Sequence, residues 1–430
     1  MKNLFIRAIL PAIFFLTAGC ADRQPTNPFD PNSGVTLVDL SLQTDSTTIT
    51  LNWSLRHPVN GLAGFRIYRS VEMADSLELY AETGPDIFQW VDPGLNLRTW
   101  YYYQIRAVGG GGIESLPSSR QSAYLGTHRY WVLSRSDFAV YDLSYDLRNL
   151  KARYDLAYSP RSWASTPENP FIWLGYGSFI NSISRLTKSS GEENVIPGEM
   201  FSRPIGMVAI PGTQRVYVLD DRENDDRLLT YDNGQKRGEM LIPDGEYLGM
   251  ILSGSGRQLI LAENRALYQI PLSAPGQRRD YALPAETRSL DFFSVGSRSY
   301  LLSAVDNSQQ SRLTRIDSTG SAESSLTFAV TYYRIAYDPR QDRYLAARYI
   351  PGEVDRVMDL GTNGGEVGLL PESFVDISQI VVNAEDGSIL ILDGGNSLIS
   401  LYDGDRRFIS TSRNSRGERY VGTPYRLLIQ

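Results

Sequence analysis

Between Tyr130 and the C-terminus one pattern returns seven times at nearly constant spacing, and it constrains the fold more than any other feature of the chain. Short apolar runs stand at Tyr130–Leu133, Ile172–Leu174, Val216–Leu219, Gln258–Leu261, Ser299–Leu302, Tyr344–Ala347 and Ser388–Ile391, at intervals of 42, 44, 42, 41, 45 and 44 residues. The clearest unit, Arg215–Met240, reads as strand, polar turn, strand, turn and the start of a third strand. Apolar runs this short, bounded by turn formers, read as strands. A further strand precedes several of them: Ile205–Ile210, Leu248–Leu252, Arg334–Tyr337 and Gln379–Val382. Pro211-Gly212, Asp338-Pro339 and Asp386-Gly387 supply the connecting turns. A period of this size means an array or ring of small sheets rather than one enzyme-type core.

The repeat length is that of a four-stranded blade, so seven runs predict an all-β chain ending in a seven-bladed β-propeller, with six blades the alternative count. Tyr130 has no strand of this kind just before it. The missing piece stands at the other end of the chain, where Thr423-Pro424-Tyr425-Arg426-Leu427-Leu428-Ile429 echoes Arg203-Pro204-Ile205-Gly206-Met207-Val208-Ala209. The C-terminal strand is therefore expected to complete the first blade and remove an unpaired edge. The units beginning at Phe201 and Asp376 resemble NHL-type or YVTN-type propeller repeats, with Asp393, Asn396 and Asp403 at family-like positions.

Ahead of the repeats, short alternating strands run from about Val35 to Gly126. Leu51 and Trp53 share one face, and Tyr101, Tyr103, Ile105 and Ala107 fall at period two along another strand. With the closing Glu114–Ser118, this stretch resembles a fibronectin type III domain, and the resemblance makes Tyr101 its tyrosine corner. Gly109–Gly112 reads as a hairpin loop, because it lacks the lysine and helix of a phosphate-binding loop. Such domains serve most often as spacers.

The chain has one cysteine among its 430 residues, Cys20. It follows basic Lys2 and Arg7, the apolar stretch Ala8–Leu16 and Thr17-Ala18-Gly19. That apolar stretch is too short to span a bilayer and has the flanks of an export signal. LTAGC resembles the bacterial lipobox, with Thr17 where that family usually has Leu. The resemblance implies cleavage before a lipidated Cys20, palmitate among its acyl chains, and an anchor in the cell envelope. Ala21 rather than Asp after the cysteine implies the outer membrane. The expected organisation is a signal peptide over 1–19, a lipidated tether over 20–33, a fibronectin-like domain over 34–127 and a propeller over 128–430.

Formal net charge is −7, and no basic block is present, which argues against nucleic acid as a partner. The two histidines, His57 and His128, both lie outside the repeats. That argues against a Ser-His-Asp triad or a histidine-held metal in the propeller, and no catalytic residue is assigned. The acidic run Asp220, Asp221, Glu223, Asp225 and Asp226 offers oxygen ligands for calcium. It lacks EF-hand spacing and falls where a blade needs a hairpin, so a solvated turn is the expectation and no metal or other cofactor is assigned. Trp163, Trp173, Tyr176, Tyr332, Tyr333 and Tyr349 lie in or beside the repeats, and packing between blades is their expected role. Two functions follow. One is a lipid-anchored envelope binding or scaffold protein that presents a face to a protein or glycan. The other is a calcium-dependent hydrolase, cleaving a lactone or a glycan, which needs three or more Asp, Glu or Asn side chains converging at the channel mouth.

Overall fold

A computed structural model describes residues 27–429 apart from 46, 74, 178–179, 198–199 and 414–416, so Cys20 and its leader lie outside the described residues. The structure is all-β, with a single 3-10 turn, Pro31–Ser33, and no helix among the described residues is long and apolar enough to cross a membrane. Two compact units are distinguished. One comprises 1–41, 51–90 and 101–122, and the other 42–50, 91–100 and 123–430.

The first seven strands form one three-stranded and one four-stranded antiparallel sheet. Along Trp100–Gly109, Tyr101, Tyr103, Ile105 and Ala107 are buried and the residues between them half-exposed, as period two requires. Trp53 meets Phe65 edge-to-face at 5.5 Å. On the strand's other side Glu114 accepts from Arg66 at 2.6 Å and from the Tyr68 hydroxyl at 2.7 Å. Burial pushes the Glu114 carboxyl up, but these donors outweigh it and hold it below its ordinary range. Gly109–Gly112 is a tight loop, with Gly111 and Gly112 at φ of 82° and 81°. The segment expected to be a tether with little to bury contributes Phe29, which is 5% exposed and lies where a Cβ on Gly109 would come within 2.6 Å of its ring.

From Tyr130 onward lie seven four-stranded antiparallel sheets. The seven apolar runs are the second strands of these sheets: Tyr130–Ser134, Phe171–Tyr176, Arg215–Asp220, Gln258–Glu263, Arg298–Val305, Arg343–Arg348 and Ile389–Asp393. Their first strands are, in the same order, Pro424–Ile429, Ser162–Ala164, Pro204–Ala209, Tyr247–Leu252, Thr287–Val295, Tyr332–Asp338 and Ile377–Val382. In the first sheet the C-terminal strand runs antiparallel to Tyr130–Ser134, with Ile429 opposite Tyr130 and Pro424 opposite Ser134.

Alternation within each second strand explains the apolar runs. Val216 and Val218 pack with Trp173 and Ile183 of the preceding sheet, while Tyr217 and Leu219 pack with Leu259 and Leu261 of the following one. Both faces are buried, so both sets of side chains must be apolar, each worth about 1.5–3 kcal/mol against exposure. Every consecutive pair of sheets shares such a core. The seventh sheet shares one with the first, through Leu390, Leu392, Tyr130, Val132 and Leu427. Outer strands such as Leu150–Asp155 and Gln235–Leu241 are largely exposed and correspondingly richer in polar residues.

Candidate functional site

The first strands of all seven sheets line one cavity of about 730 Å³, a volume within the range of small-molecule sites. A repeated irregularity shapes its wall. Six of the seven first strands carry a one-residue bulge at the same place, so that Gly206, Gly249, Asp291, Arg334, Gln379 and Arg426 face Leu219, Ala262, Leu302, Ala347, Leu392 and Leu133 of their second strands. A bulge bends the strand and re-aims side chains. Ser162–Ala164 alone has no shift, and Trp163 faces Leu174 there.

The bulged level also solves a problem of strand edges. First strands expose unpaired N–H and C=O groups toward one another, and polar side chains of this level bridge them. The Ile335 N–H donates to Asp291 Oδ2 at 2.9 Å. Arg334 donates from Nε to the Ser378 carbonyl at 3.0 Å and from Nη1 to the Leu290 carbonyl at 3.3 Å, reaching strands on both sides. The Leu427 N–H donates to Gln379 Oε1 at 3.0 Å, and Ser378 Oγ to the Pro424 carbonyl at 3.0 Å. On the opposite side the level holds glycine: a Cβ on Gly206 would sit 3.1 Å from the backbone nitrogen of Met250.

Charge in the lining is arginine-rich: Arg161, Arg334 and Arg426 against Asp291, which is the one Asp, Glu or Asn among the described residues lining the cavity. Burial pushes the Asp291 carboxyl above its ordinary range, against the pull of Arg334, the N–H groups of Ile335 and Phe292, and Arg426. Neither His57 nor His128 lines the cavity.

The acidic run lies elsewhere, at the end of Arg215–Asp220 and in the turn after it. Its middle, 223–225, is exposed as expected of a solvated turn, while its ends are buried. Asp220, with no exposure, accepts from the Ser202 N–H at 2.8 Å, the Arg203 N–H at 2.9 Å, Arg222 Nε at 3.0 Å and Arg227 Nε at 3.1 Å. Asp221 pairs with Arg203, and Asp226 accepts from the Arg222 and Gly245 N–H groups. Glu223 and Asp225 are exposed. Among the described residues no group of three or more His, Cys, Asp or Glu is placed to hold a metal ion. Asp393 repeats the device, accepting from the Val375 and Asp376 N–H groups and from both nitrogens of Asn396. Asp403 closes a hairpin by accepting from the Asp405 and Arg407 N–H groups.

Of the aromatic residues singled out, Trp173, Tyr176 and Tyr332 are buried between sheets, Trp163 lines the cavity, and Tyr333 donates to Asp355 at 2.6 Å. Tyr349 is 53% exposed. The cavity arginines went unmarked, although the echo between the C-terminal strand and residues 203–209 sets Arg426 against Gly206 and so already marks the level they occupy.

No protein-family model matches the sequence, and no curated protein does. Solved structures do resemble it. A protein of unknown function from Desulfotomaculum acetoxidans aligns with a TM-score of 0.52 at 10% identity, over 70% of this chain and 98% of its own. A protein from Bacteroides fragilis, proposed to be a 6-phosphogluconolactonase, aligns with a TM-score of 0.51 at 12% identity, over 70% of this chain and 98% of its own. At these identities the likeness is one of fold: the four-stranded sheets are propeller-like.

Proposed function

We propose that the chain is a lipid-anchored protein of the bacterial cell envelope, held in the outer membrane through Cys20, whose repeat region binds a protein or glycan. The seven sheets are read as seven blades closed by the C-terminal strand, and the seven N-terminal strands as a fibronectin type III spacer. The observation that carries the binding reading is the cavity wall. It presents arginine, aromatic and aliphatic side chains with a single carboxylate, Asp291. The calcium-dependent hydrolase reading needs three or more Asp, Glu or Asn side chains there, and its other acidic candidate, the run from Asp220 to Asp226, is committed to backbone and arginine donors. The lipidated cysteine remains a sequence-based proposal, supported by LTAGC.

A pull-down from envelope extract with residues 21–430 as bait tests the binding reading. Specific recovery of one protein or glycan is expected, and its repeated absence counts against that reading. Labelling cells with radioactive palmitate tests the anchor separately: the wild type takes up label, and a C20A variant that still does so overturns it.

A further inference from the structure

We propose that the cavity is a binding site for a small anionic ligand of mono- or disaccharide size, whose oxyanion is received by the guanidinium group of Arg426 in the positive field of Arg334 and Arg161. The inference deepens the binding reading above and is independent of the lipid anchor.

Three observations carry it. First, the sign of the charge is inverted relative to the whole. The chain has a formal net charge of −7, whereas the cavity lining holds three arginines and one aspartate. Asp291 is itself engaged by the Ile335 and Phe292 N–H groups. Second, Arg426 of the lining is joined at one tyrosine by a further arginine, Arg135. The Tyr425 ring has the Arg135 guanidinium 3.2 Å and the Arg426 guanidinium 5.0 Å from its centroid. Among the described residues none of Arg135, Arg334 and Arg426 forms an ion pair with a carboxylate. Partial desolvation holds the Arg135 guanidinium below its ordinary value, and the charges of Arg426 and Arg161 push it the same way. Cations clustered in this manner repel one another unless an anion lies between them. Third, the wall is suited to the rest of such a ligand. Half-buried Phe292 and Tyr425 in the lining supply apolar faces on which a sugar ring can stack, and guanidinium forks match carboxylate and phosphate bidentately.

Arg334 differs from Arg426. Its donors already go to the carbonyls of Ser378, Leu290 and Tyr333, so it holds the wall in place and adds charge rather than a free fork. Arg426 has no hydrogen bond of this kind, and it is the residue expected to touch the anion.

Calorimetric titration of the full chain purified in detergent tests the proposal, with galacturonate, its neutral counterpart galactose, and inorganic phosphate as probes. Saturable binding of galacturonate at least tenfold tighter than of galactose is expected, weakening as salt is raised from 50 to 500 mM. Binding of phosphate alone supports the oxyanion site and moves the source of the anion from a sugar acid to a phosphorylated ligand. The R426Q variant should lose at least tenfold in affinity while keeping the wild-type melting temperature. R135Q, on the exposed rim, serves as a second variant with a smaller loss should R426Q fail to fold. Failure of both galacturonate and phosphate to bind overturns the proposal, as does equal affinity for galactose or an unchanged affinity in both variants. Because the titration uses a defined anion, a negative result leaves any partner recovered by pull-down standing.

Discussion

Asp137 ties the two ends of the repeat region together through one carboxylate. It sits in the hairpin between Tyr130–Ser134 and Ala139–Leu143, accepts from the Ser134 and Tyr141 hydroxyls, and receives the Gly422 N–H at 3.3 Å. Beside it the Thr423 N–H donates to Ser136 Oγ at 2.8 Å. The approach is so close that a Cβ on Gly422 would lie 2.4 Å from Asp137 Oδ1. Burial raises the Asp137 carboxyl, but the Ser134 and Tyr141 hydroxyls, its own backbone and Arg153 outweigh it, so the folded value lies below the ordinary one. A carboxylate with a depressed folded value stabilises the fold above its unfolded value, about 3.9, and that contribution is lost as pH falls through the folded value. The D137N variant should therefore lose about 2 kcal/mol at pH 7, the range for hydrogen bonds to a charged group. Urea denaturation at pH 7 and at pH 3 checks this. The gap between variant and wild type should close at the lower pH, and a gap of constant size would mean that the charge is not what stabilises.

At the scale of the element, the second strands were legible in the sequence and the first strands only in part, for a physical reason. A second strand is packed between two neighbouring sheets, so apolar residues such as Val216–Leu219 run on without a break. A first strand has one side on the cavity, where polar residues are tolerated and, at the bulge, needed to bridge neighbouring edges. Thr287–Val295, with Arg288 and Asp291 inside it, therefore carries no clean pattern, and Ser162–Ala164 has too few residues to show one. The cavity arginines were hidden for the same cause, since their meeting depends on seven segments far apart in the chain. In the acidic turn the exposed middle, Glu223 to Asp225, is legible as solvated, whereas the buried Asp220, Asp221 and Asp226 cannot be told from it until their donors are seen. Those donors make a sharp prediction. Removing the Asp220 carboxylate breaks the buried pair with Arg227, 6% exposed, leaving that guanidinium the longer contact to Glu239 at 3.4 Å, and takes their acceptor from the Ser202 and Arg203 N–H groups. D220A should cost about 3–5 kcal/mol, whereas D225A, on the exposed part of the same turn, should stay within about 0.5 kcal/mol of wild type. Chemical denaturation of the two variants side by side decides it, and equal stabilities would return the whole turn to solvent.

For the whole molecule, the decisive element is the last strand. Six sheets take all four strands from one continuous stretch, while the first takes its first strand from Pro424–Ile429 at the far end of the chain. That strand pairs along Tyr130–Ser134, packs Leu427 into the core shared by the first and seventh sheets, and sets Leu428 and Tyr425 against the core shared by the first and second. Its Leu427 N–H also donates to Gln379 Oε1 of the neighbouring first strand. Deleting Tyr425–Gln430 thus removes four large side chains from two cores, the buried Leu427 at about 1.5–3 kcal/mol and half-buried Tyr425, Leu428 and Ile429 at part of that each, and leaves the edge of Tyr130–Ser134 unpaired. The sum is comparable to the whole stability of an ordinary domain, about 5–15 kcal/mol. The truncated protein should lose its cooperative melting transition or show it at a much lower temperature, with aggregation through the open edge. A synthetic peptide spanning residues 423–430, added in excess, should restore part of the transition by pairing as a strand in trans. An unchanged melting temperature after truncation would show that the repeat region is held by the cores between sheets alone. Loss without rescue by the peptide would show that the strand must be tethered to act.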